Sequence, residues 1–315
     1  MSLRPFLKTL PSSSALILPA LLIGLLNDFG SRAVADEAQC PNFEQRYEAS
    51  RDLTTLEVNN FLISAAANGC EAFAKRLLEA GASPMARDRE ANTVLARAAR
   101  AGALPIVRLT IERGSDVNAR NFFVSTPLLL AIEANRPQVA KLLFEKGADA
   151  NLPGHSGISP LAAAAYQGNV EIVETILARG ADPRAADAVG KTPIIYAAAR
   201  GSAPIVERLL SSGIDVNAAY GNDLTVLMWA AGYSEGVADR DGLELVTSLL
   251  KRGAEIDRAD NRGRTALMIA AGEGHALVAA ALLKAGADPA RKDKDGKAAI
   301  DLAADEATRR VFAAR

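Results

Sequence analysis

The sequence predicts an all-α fold, a solenoid of stacked helix-turn-helix units with hairpin-loop fingers between them. Two observations predict it: residues that recur every 33 positions and a composition rich in alanine. Alanine accounts for 63 of the 315 residues, whereas aromatic residues make up only 5% of the chain. That composition favours closely packed helices over a β-sandwich or a barrel.

Three ladders of residues define the repeat and agree in phase. Glycines end the units at Gly81, Gly114, Gly147, Gly180, Gly213, Gly253 and Gly286. The anchors that open the units are Asn60, Thr93, Thr126, Ser159, Thr192, Thr225, Thr265 and Ala298. Nine residues after the anchors come Gly69, Gly102, Asn135, Gly168, Gly201, Ser234 and Gly274. A period of this length predicts units that bury a core only when they are stacked.

The fifth unit illustrates how each unit is expected to fold. Thr192 is a typical helix cap, and Pro193 fits the first turn, where its missing N–H costs nothing. Gly201 ends this helix with a positive φ, and a second helix then runs towards Gly213. The β-branched and turn residues that follow predict a hairpin finger.

These residues resemble the ankyrin repeat family. The third unit carries the pattern in Ser125-Thr126-Pro127-Leu128, Leu142-Leu143 and Gly147-Ala148-Asp149. The resemblance covers about residues 53–315 and implies seven repeats with a truncated C-terminal cap, preceded by an N-terminal extension over 36–52. The histidine usual in the family three residues after the anchor is replaced here, so its hydrogen-bond ladder between repeats is expected to be absent. The replacements are Ala96, Leu129, Ala162, Ile195, Met228, Met268 and Asp301.

The first 35 residues have the three-part signature of a cleavable signal peptide. Arg4 and Lys8 precede an apolar run from Ala15 to Leu26, and Ala33-Val34-Ala35 supplies the small residues of a cleavage site. A membrane anchor is the alternative, but the run is shorter than the roughly 20 apolar residues that span a bilayer. We therefore predict export, to a bacterial periplasm or fully outside the cell.

The net charge of −1 gives no basic footprint for nucleic acid. No cofactor is expected, and neither is a membrane span after signal cleavage. A metal site is not expected either, because His155 has no partner at ligand spacing and the segment from Asp293 to Gly296 lacks the glutamate of a calcium loop. That segment is predicted to be a finger tip.

The segment from Gly232 to Gly236 matches the GxSxG pattern of hydrolases, with Ser234 as the nucleophile. That mechanism needs a strand-to-helix turn, whereas a helix is predicted before Ser234. His275 is expected about 10 Å away, one helix-packing distance, which is too far for direct proton transfer. We predict that the protein is not an enzyme, and a hydrolase remains a remote alternative.

The resemblance implies a concave binding face made of finger tips and first-helix ends. Aromatic and arginine side chains are the usual anchors of protein interfaces. Local packing of the two phenylalanines is the alternative, and Trp229 is assigned to the core. The residues predicted to bind a partner are Phe122, Phe123, His155, Tyr166, Lys191, Arg200 and Tyr233.

Two further features lie at or near this array. Seven extra residues in the sixth unit, within 234–242, are predicted to loop out between its helices, either near the partner or as a tolerated extension. Cys40 and Cys70 are the only cysteines, and export predicts a disulfide between them. A buried Cys70 with a free Cys40 is the alternative.

The function predicted from the sequence is a monomeric protein-interaction module in an exported compartment. It binds another protein, with an apolar segment next to acidic residues, on the concave face. A secreted effector that binds a host protein is the alternative.

Overall fold

The structure, a computed structural model, describes residues 37–233 and 236–313. The predicted signal peptide (residues 1–35), Asp36, the residues Ser234 and Glu235, and residues 314–315 lie outside this range. The described residues contain α-helices, three short 3-10 helices and no β-strand. The predicted all-α solenoid is therefore confirmed.

Seventeen α-helices form the described part of the chain. An N-terminal helix, α1 (Cys40–Ala49), precedes the units. The first helices of the units are α2 (Thr55–Asn68), α4 (Val94–Ala101), α6 (Pro127–Glu133), α8 (Pro160–Gln167), α10 (Pro193–Ala199), α12 (Val226–Ala231), α14 (Ala266–Gly272) and α16 (Ala299–Leu302). The second helices are α3 (Glu71–Glu79), α5 (Leu104–Glu112), α7 (Pro137–Glu145), α9 (Val170–Ala178), α11 (Ala203–Leu210), α13 (Asp239–Lys251), α15 (Ala276–Lys284) and α17 (Glu306–Ala313).

Five of the eight anchors begin first helices through a common hydrogen bond, whereas Asn60 lies inside α2, which Thr54 caps. The side-chain oxygens of Thr93, Thr126, Ser159, Thr225 and Thr265 each accept the backbone N–H three residues later. Thr192, the cap predicted from the fifth unit, makes no such bond. The N–H of Ile195 donates instead to the carbonyl oxygen of Thr192 over 3.0 Å, so the first turn is closed by the backbone.

The first helices end as the third ladder predicts. Gly69, Gly102, Gly168, Gly201 and Gly274 all have a positive φ, in the left-handed region that favours glycine. Asn135 occupies the same place in the third unit and also has a positive φ, of 52°. Asparagine tolerates this conformation better than most residues, so the ladder continues through it.

The fingers are turns whose base is an aspartate or an asparagine. The side chains of Asp88, Asn121, Asp187, Asp260 and Asp293 each accept the backbone N–H groups two and four residues later. The segment from Asp293 to Gly296 is therefore a finger tip, as predicted. Neighbouring fingers are joined by single backbone hydrogen bonds, for example from Phe122 N to Glu90 O over 3.0 Å.

A single core runs the length of the array, from Leu62 to Ala299. Consecutive first helices pack side by side, and their alanines permit close approach of the backbones. At the positions where the family has histidine, the residues from Ala96 to Met268 are apolar and buried. Packing between units is therefore apolar there, in place of a histidine ladder.

The N-terminal extension forms α1, which covers the open end of the first unit. Its Cys40 is joined to Cys70 by a disulfide, which confirms the predicted pair. Tyr47 of α1 contacts the rings of Phe61 and Phe73 edge-on, with centroids 5.5 and 5.6 Å apart. The extension is thus attached by a covalent bond and by an aromatic cluster.

The extra residues of the sixth unit do not all form a loop. After α12 ends at Ala231, residues 236–238 connect to α13, which begins at Asp239. Residues 239–242 therefore extend the second helix, which has 13 residues against eight in α11. The prediction of a loop was wrong for this half of the insertion, because residues 239–242 form the first turn of α13.

Candidate protein-binding face

One long side of the array carries the side chains that the sequence singled out. We call it the inner face and define it by the finger tips at 120–124, 155–158 and 187–191 together with the solvent-facing side of α6, α8, α10 and α12. Of the seven predicted binding residues, five lie on this surface with exposed or half-buried side chains. They are Phe122, Phe123, His155, Lys191 and Arg200.

The finger before α6 exposes three consecutive apolar residues. Phe122 is 75% exposed, Phe123 is 51% exposed and Val124 is 40% exposed. The ring of Phe123 contacts the imidazole of His155 edge-on, with centroids 6.5 Å apart. Phe123 therefore contacts the neighbouring finger through His155, while both phenylalanines keep half or more of their surface exposed and form an apolar projection.

Val124 holds a backbone conformation that disfavours its side chain. Its φ is +62°, in the left-handed region, where a β-branched residue is an outlier. The equivalent place is glycine in four other fingers, at Gly157, Gly190, Gly263 and Gly296, and is Ala91 and Asp223 in two more, all with positive φ. An apolar, β-branched side chain is therefore held at this tip at an energetic cost.

Tyr166 is buried, which corrects its assignment to an exposed binding surface. Only 7% of the residue is exposed. The guanidinium of Arg200 lies 5.2 Å above its ring, and Tyr196 of the next unit packs against it edge-on at 6.3 Å. Arg200 therefore covers the ring of Tyr166 on this face.

Tyr233 is also buried, at 6% exposure, so its assignment needs the same correction. Its ring stacks on the imidazole of His275 with centroids 3.7 Å apart, and its hydroxyl donates to Asp239 at the start of α13. His275 Nδ1 donates in turn to the carbonyl oxygen of Ala231 over 2.9 Å. Tyr233 therefore joins the sixth unit to the seventh.

A row of two cations and three aromatic rings in contact lies on the inner face. Arg200 lies over Tyr166, Tyr166 contacts Tyr196, and Lys191 Nζ lies 5.9 Å from the Tyr196 ring and 5.2 Å from the Trp229 ring. Trp229 was assigned to the core, but it is only partly buried and borders this surface. Burial lowers the pKa of Lys191, although the charge of Asp187 opposes that shift.

Tyr196 was missed by the sequence analysis and organises this cluster. Its hydroxyl donates to Asp187 Oδ2 over 2.5 Å, while Asp187 Oδ1 accepts the backbone N–H groups of its own finger. Burial, with the hydrogen bond and charge of Asp187, raises the pKa of Tyr196 above its ordinary range. The repeat pattern could have indicated it, because Tyr196 lies four residues after its anchor. The same position holds the large side chains of Arg97 and Trp229 in two other units.

Glu133 ends α6 beside this cluster and has an altered titration. Burial raises the pKa of its carboxyl group to about 7, and the charge of Arg100 partly offsets the shift. Gln167 of the next unit donates to the carbonyl oxygen of Glu133 over 2.7 Å, which holds the helix end in place. A carboxyl group on this face therefore changes charge near neutral pH.

The opposite side of the array, formed by the second helices, is bridged by ion pairs between units. Lys141 pairs with Glu171, Glu174 with Arg208, and Glu207 with Arg252. Within the described residues no group of histidine, cysteine and carboxylate side chains is arranged to hold a metal ion. The serine of the GxSxG pattern lies outside those residues.

Comparison with known families supplies the identification. The family model described as Ankyrin repeats (3 copies) matches over 62–154, 95–187, 161–239 and 236–312, which together span most of the chain. The chain belongs to the ankyrin repeat family. No curated protein sequence matches it. In the part of this ankyrin repeat protein that the structure describes, none of the helices has the length and hydropathy to span a membrane.

Proposed function

We propose that this ankyrin repeat protein is an exported interaction module that holds a partner protein on its inner face, without catalysing a reaction. Family membership supports the general role of protein binding. The observation that carries the choice of surface is the exposed apolar projection of Phe122, Phe123 and Val124. Exposed apolar clusters of this kind mark contact sites on soluble proteins.

Backbone strain at the same tip supports the choice. Residues held in disfavoured backbone conformations cluster at functional sites. Here Val124 has a positive φ where four other fingers have glycine and two have Ala91 and Asp223. Val124 is the only β-branched residue among these seven positions, so we infer that its apolar side chain is retained for contact with a partner.

Export is proposed on two independent features. The first is the three-part signature of residues 1–35. The second is the Cys40–Cys70 disulfide, which forms and persists in oxidising compartments. Cell fractionation of the natural host tests the proposal. A mature chain that begins at Asp36 and is released by osmotic shock supports a periplasmic location, whereas recovery from the medium supports the secreted effector. An uncleaved chain in the cytosol contradicts both.

Partner binding is tested by substituting exposed apolar residues with alanine, on the inner face and at a control position. We expect Phe122→Ala with Phe123→Ala to weaken partner capture from the exported fraction at least tenfold, because hot-spot side chains often cost 2 kcal/mol or more when truncated. Leu277→Ala is the control, since Leu277 is 52% exposed on a second helix. If both variants capture the same partner as well as the natural chain does, the contact surface lies elsewhere.

A further inference from the structure

We propose that Lys191 and Arg200 form a carboxylate-binding site on the inner face, which recognises acidic side chains in a segment of a partner protein. The inference rests on the proposed function and adds the chemistry of the partner. Two cations lie over the aromatic rings of three neighbouring units, and neither forms an ion pair with a carboxylate among the residues that the structure describes.

The two cations are not held in ion pairs. Lys191 Nζ and the Arg200 guanidinium contact aromatic faces, and neither forms an ion pair or a side-chain hydrogen bond within the described part of the chain. The indole N–H of Trp229 is buried and has no acceptor among the described residues. This cluster therefore has more donors than acceptors, which favours a ligand that supplies acceptors.

The internal repeats explain why Lys191 is unpaired. The residue before the seventh anchor, Arg264, folds back on the aspartate of its own finger and donates to Asp260 Oδ2 over 2.7 Å. Lys191 holds the same position in the fifth unit, but there the hydroxyl of Tyr196 already occupies the equivalent oxygen of Asp187. The ammonium is thereby left over the rings of Tyr196 and Trp229.

The second unit provides a further comparison. Arg97 lies at the position of Tyr196 and donates to Asp88 Oδ2 over 2.5 Å, so that finger carries a closed ion pair. In the fifth unit the neutral hydroxyl of Tyr196 donates to the equivalent acceptor, Asp187 Oδ2, without supplying a positive charge. As a result, Lys191 of the fifth unit forms no ion pair with the aspartate of its own finger, and Arg200 is a second such cation on the same face.

The surroundings favour a short acidic segment over a nucleic acid. Binding of a nucleic acid draws on many cations along one surface, whereas the chain has a net charge of −1 and the cluster lies beside the carboxylate of Asp187. Lys191 and Arg200, held over aromatic rings, are enough to bind one or two carboxylates. The apolar projection at Phe122 and Phe123 lies on the same face, so an acidic segment with apolar neighbours matches both features.

Trp229 makes the site directly observable, because it is the only tryptophan in the chain. The mature chain is titrated with a short blocked peptide of leucines and glutamates, and with the same peptide carrying glutamines. We expect the glutamate peptide to change the Trp229 emission and to bind at least tenfold more tightly, with the preference lost at high salt. Equal binding of the two peptides, or no binding up to about 1 mM, overturns the proposal.

Variants separate recognition from folding. In the variant Lys191→Gln with Arg200→Gln, the affinity for the glutamate peptide should fall to that for the glutamine peptide. The variant Lys191→Arg with Arg200→Lys should keep most of the preference for glutamate. Arg108→Gln with Lys251→Gln removes two exposed cations from second helices and should leave the preference unchanged. A preference that survives the first variant overturns the proposal, as does tighter binding of a single-stranded thymidine oligonucleotide. Neither result bears on capture of a partner through Phe122 and Phe123, which the alanine substitutions at those two residues test separately.

Discussion

The hydroxyl of Tyr196 donates a hydrogen bond to Asp187 Oδ2 over 2.5 Å, across the base of one finger. This contact determines the state of a third residue. In the seventh unit the equivalent carboxylate oxygen is bound by an arginine, and there the cation is neutralised. In the fifth unit the hydroxyl takes that place, so Lys191 is held against aromatic rings instead.

Removal of the Tyr196 hydroxyl should therefore change the titration of Lys191. In Tyr196→Phe the freed Asp187 Oδ2 becomes available to the ammonium, and an opposite charge in contact raises the pKa of a lysine. NMR titration of the Lys191 side chain should give a higher pKa than in the natural chain. Tyr166→Phe is the control, because Tyr196, not Tyr166, bonds the Asp187 carboxylate. An unchanged pKa in Tyr196→Phe contradicts this account of the cluster.

Substitution at the strained finger tip should stabilise the fold. Val124→Gly relieves a left-handed conformation that costs a β-branched residue about 1–2 kcal/mol, less the entropy that glycine gains in the unfolded chain. We expect a net gain of about 0.5–1 kcal/mol in the free energy of unfolding, measured by chemical denaturation. Val189→Gly is the control, since exposed Val189 is not among the residues with a positive φ, and it should destabilise. A loss of stability in Val124→Gly would count against the strain.

The fold was predictable because its determinants are local and repeated. Threonine caps, glycines at positive φ and a fixed spacing each specify one turn of backbone, and seven copies remove the ambiguity of any single one. Thr192 departs from the pattern only in which oxygen takes the N–H of Ile195. The disulfide was predictable for a different reason, since two cysteines leave only one pair.

The site was only partly predictable, because a ladder position fixes the face of a helix but not what covers a side chain. Tyr166 lies where the ladder predicts, yet Arg200 of the next unit reaches back over it. Tyr233 is enclosed by His275 and by the extra turn of α13, neither of which follows from the repeat. Contacts between long side chains of different units depend on which two residues meet, so they do not recur with the repeat and cannot be predicted from it.

Not every carboxylate on the second helices is suitable as a control. Glu174 pairs with Arg208, and Glu207 binds both Arg252 and Ser248. Substitution of Glu207 with alanine removes a contact between units. Exposed Leu277, Arg108 and Lys251 serve better as controls.

Stability should depend on pH through Glu133. Its folded-state pKa of about 7 lies above the ordinary 4.5, so the stabilisation it contributes is full below pH 4.5 and is lost as the pH rises towards 7. Glu133→Gln should remove this loss and be more stable than the natural chain by about 1–3 kcal/mol at pH 8, a figure reduced for partial exposure. Chemical denaturation at pH 4 and pH 8 measures it. Exposed Glu79→Gln is the control, and a natural chain that matches Glu133→Gln at pH 8 contradicts the assignment.

The disulfide should stabilise the N-terminal end of the array. The Cys40–Cys70 bond closes a loop of about 31 residues, and its loss in Cys40→Ala with Cys70→Ala should cost about 3–4 kcal/mol. Hydrogen exchange should show that α1 loses protection first, because none of its residues is fully buried. Alkylation of the mature, non-reduced chain should add no mass. Two modified thiols would show that the bond does not form.

The last prediction concerns a contact within the sixth unit, between Gly242 of the insertion and the ring of Tyr233. A Cβ at Gly242 would lie 2.3 Å from the ring of Tyr233, so Gly242→Ala forces the tyrosine from its stack on His275. Overpacking of this kind costs about 1–3 kcal/mol, more than the roughly 1 kcal/mol that alanine gains over glycine in a helix. In a Tyr233→Ala background the clash is absent, and the same substitution should stabilise. Thermal unfolding of the four chains gives the coupling directly. If Gly242→Ala has the same effect in both backgrounds, the residues do not touch, and the extra turn of α13 is not what encloses Tyr233.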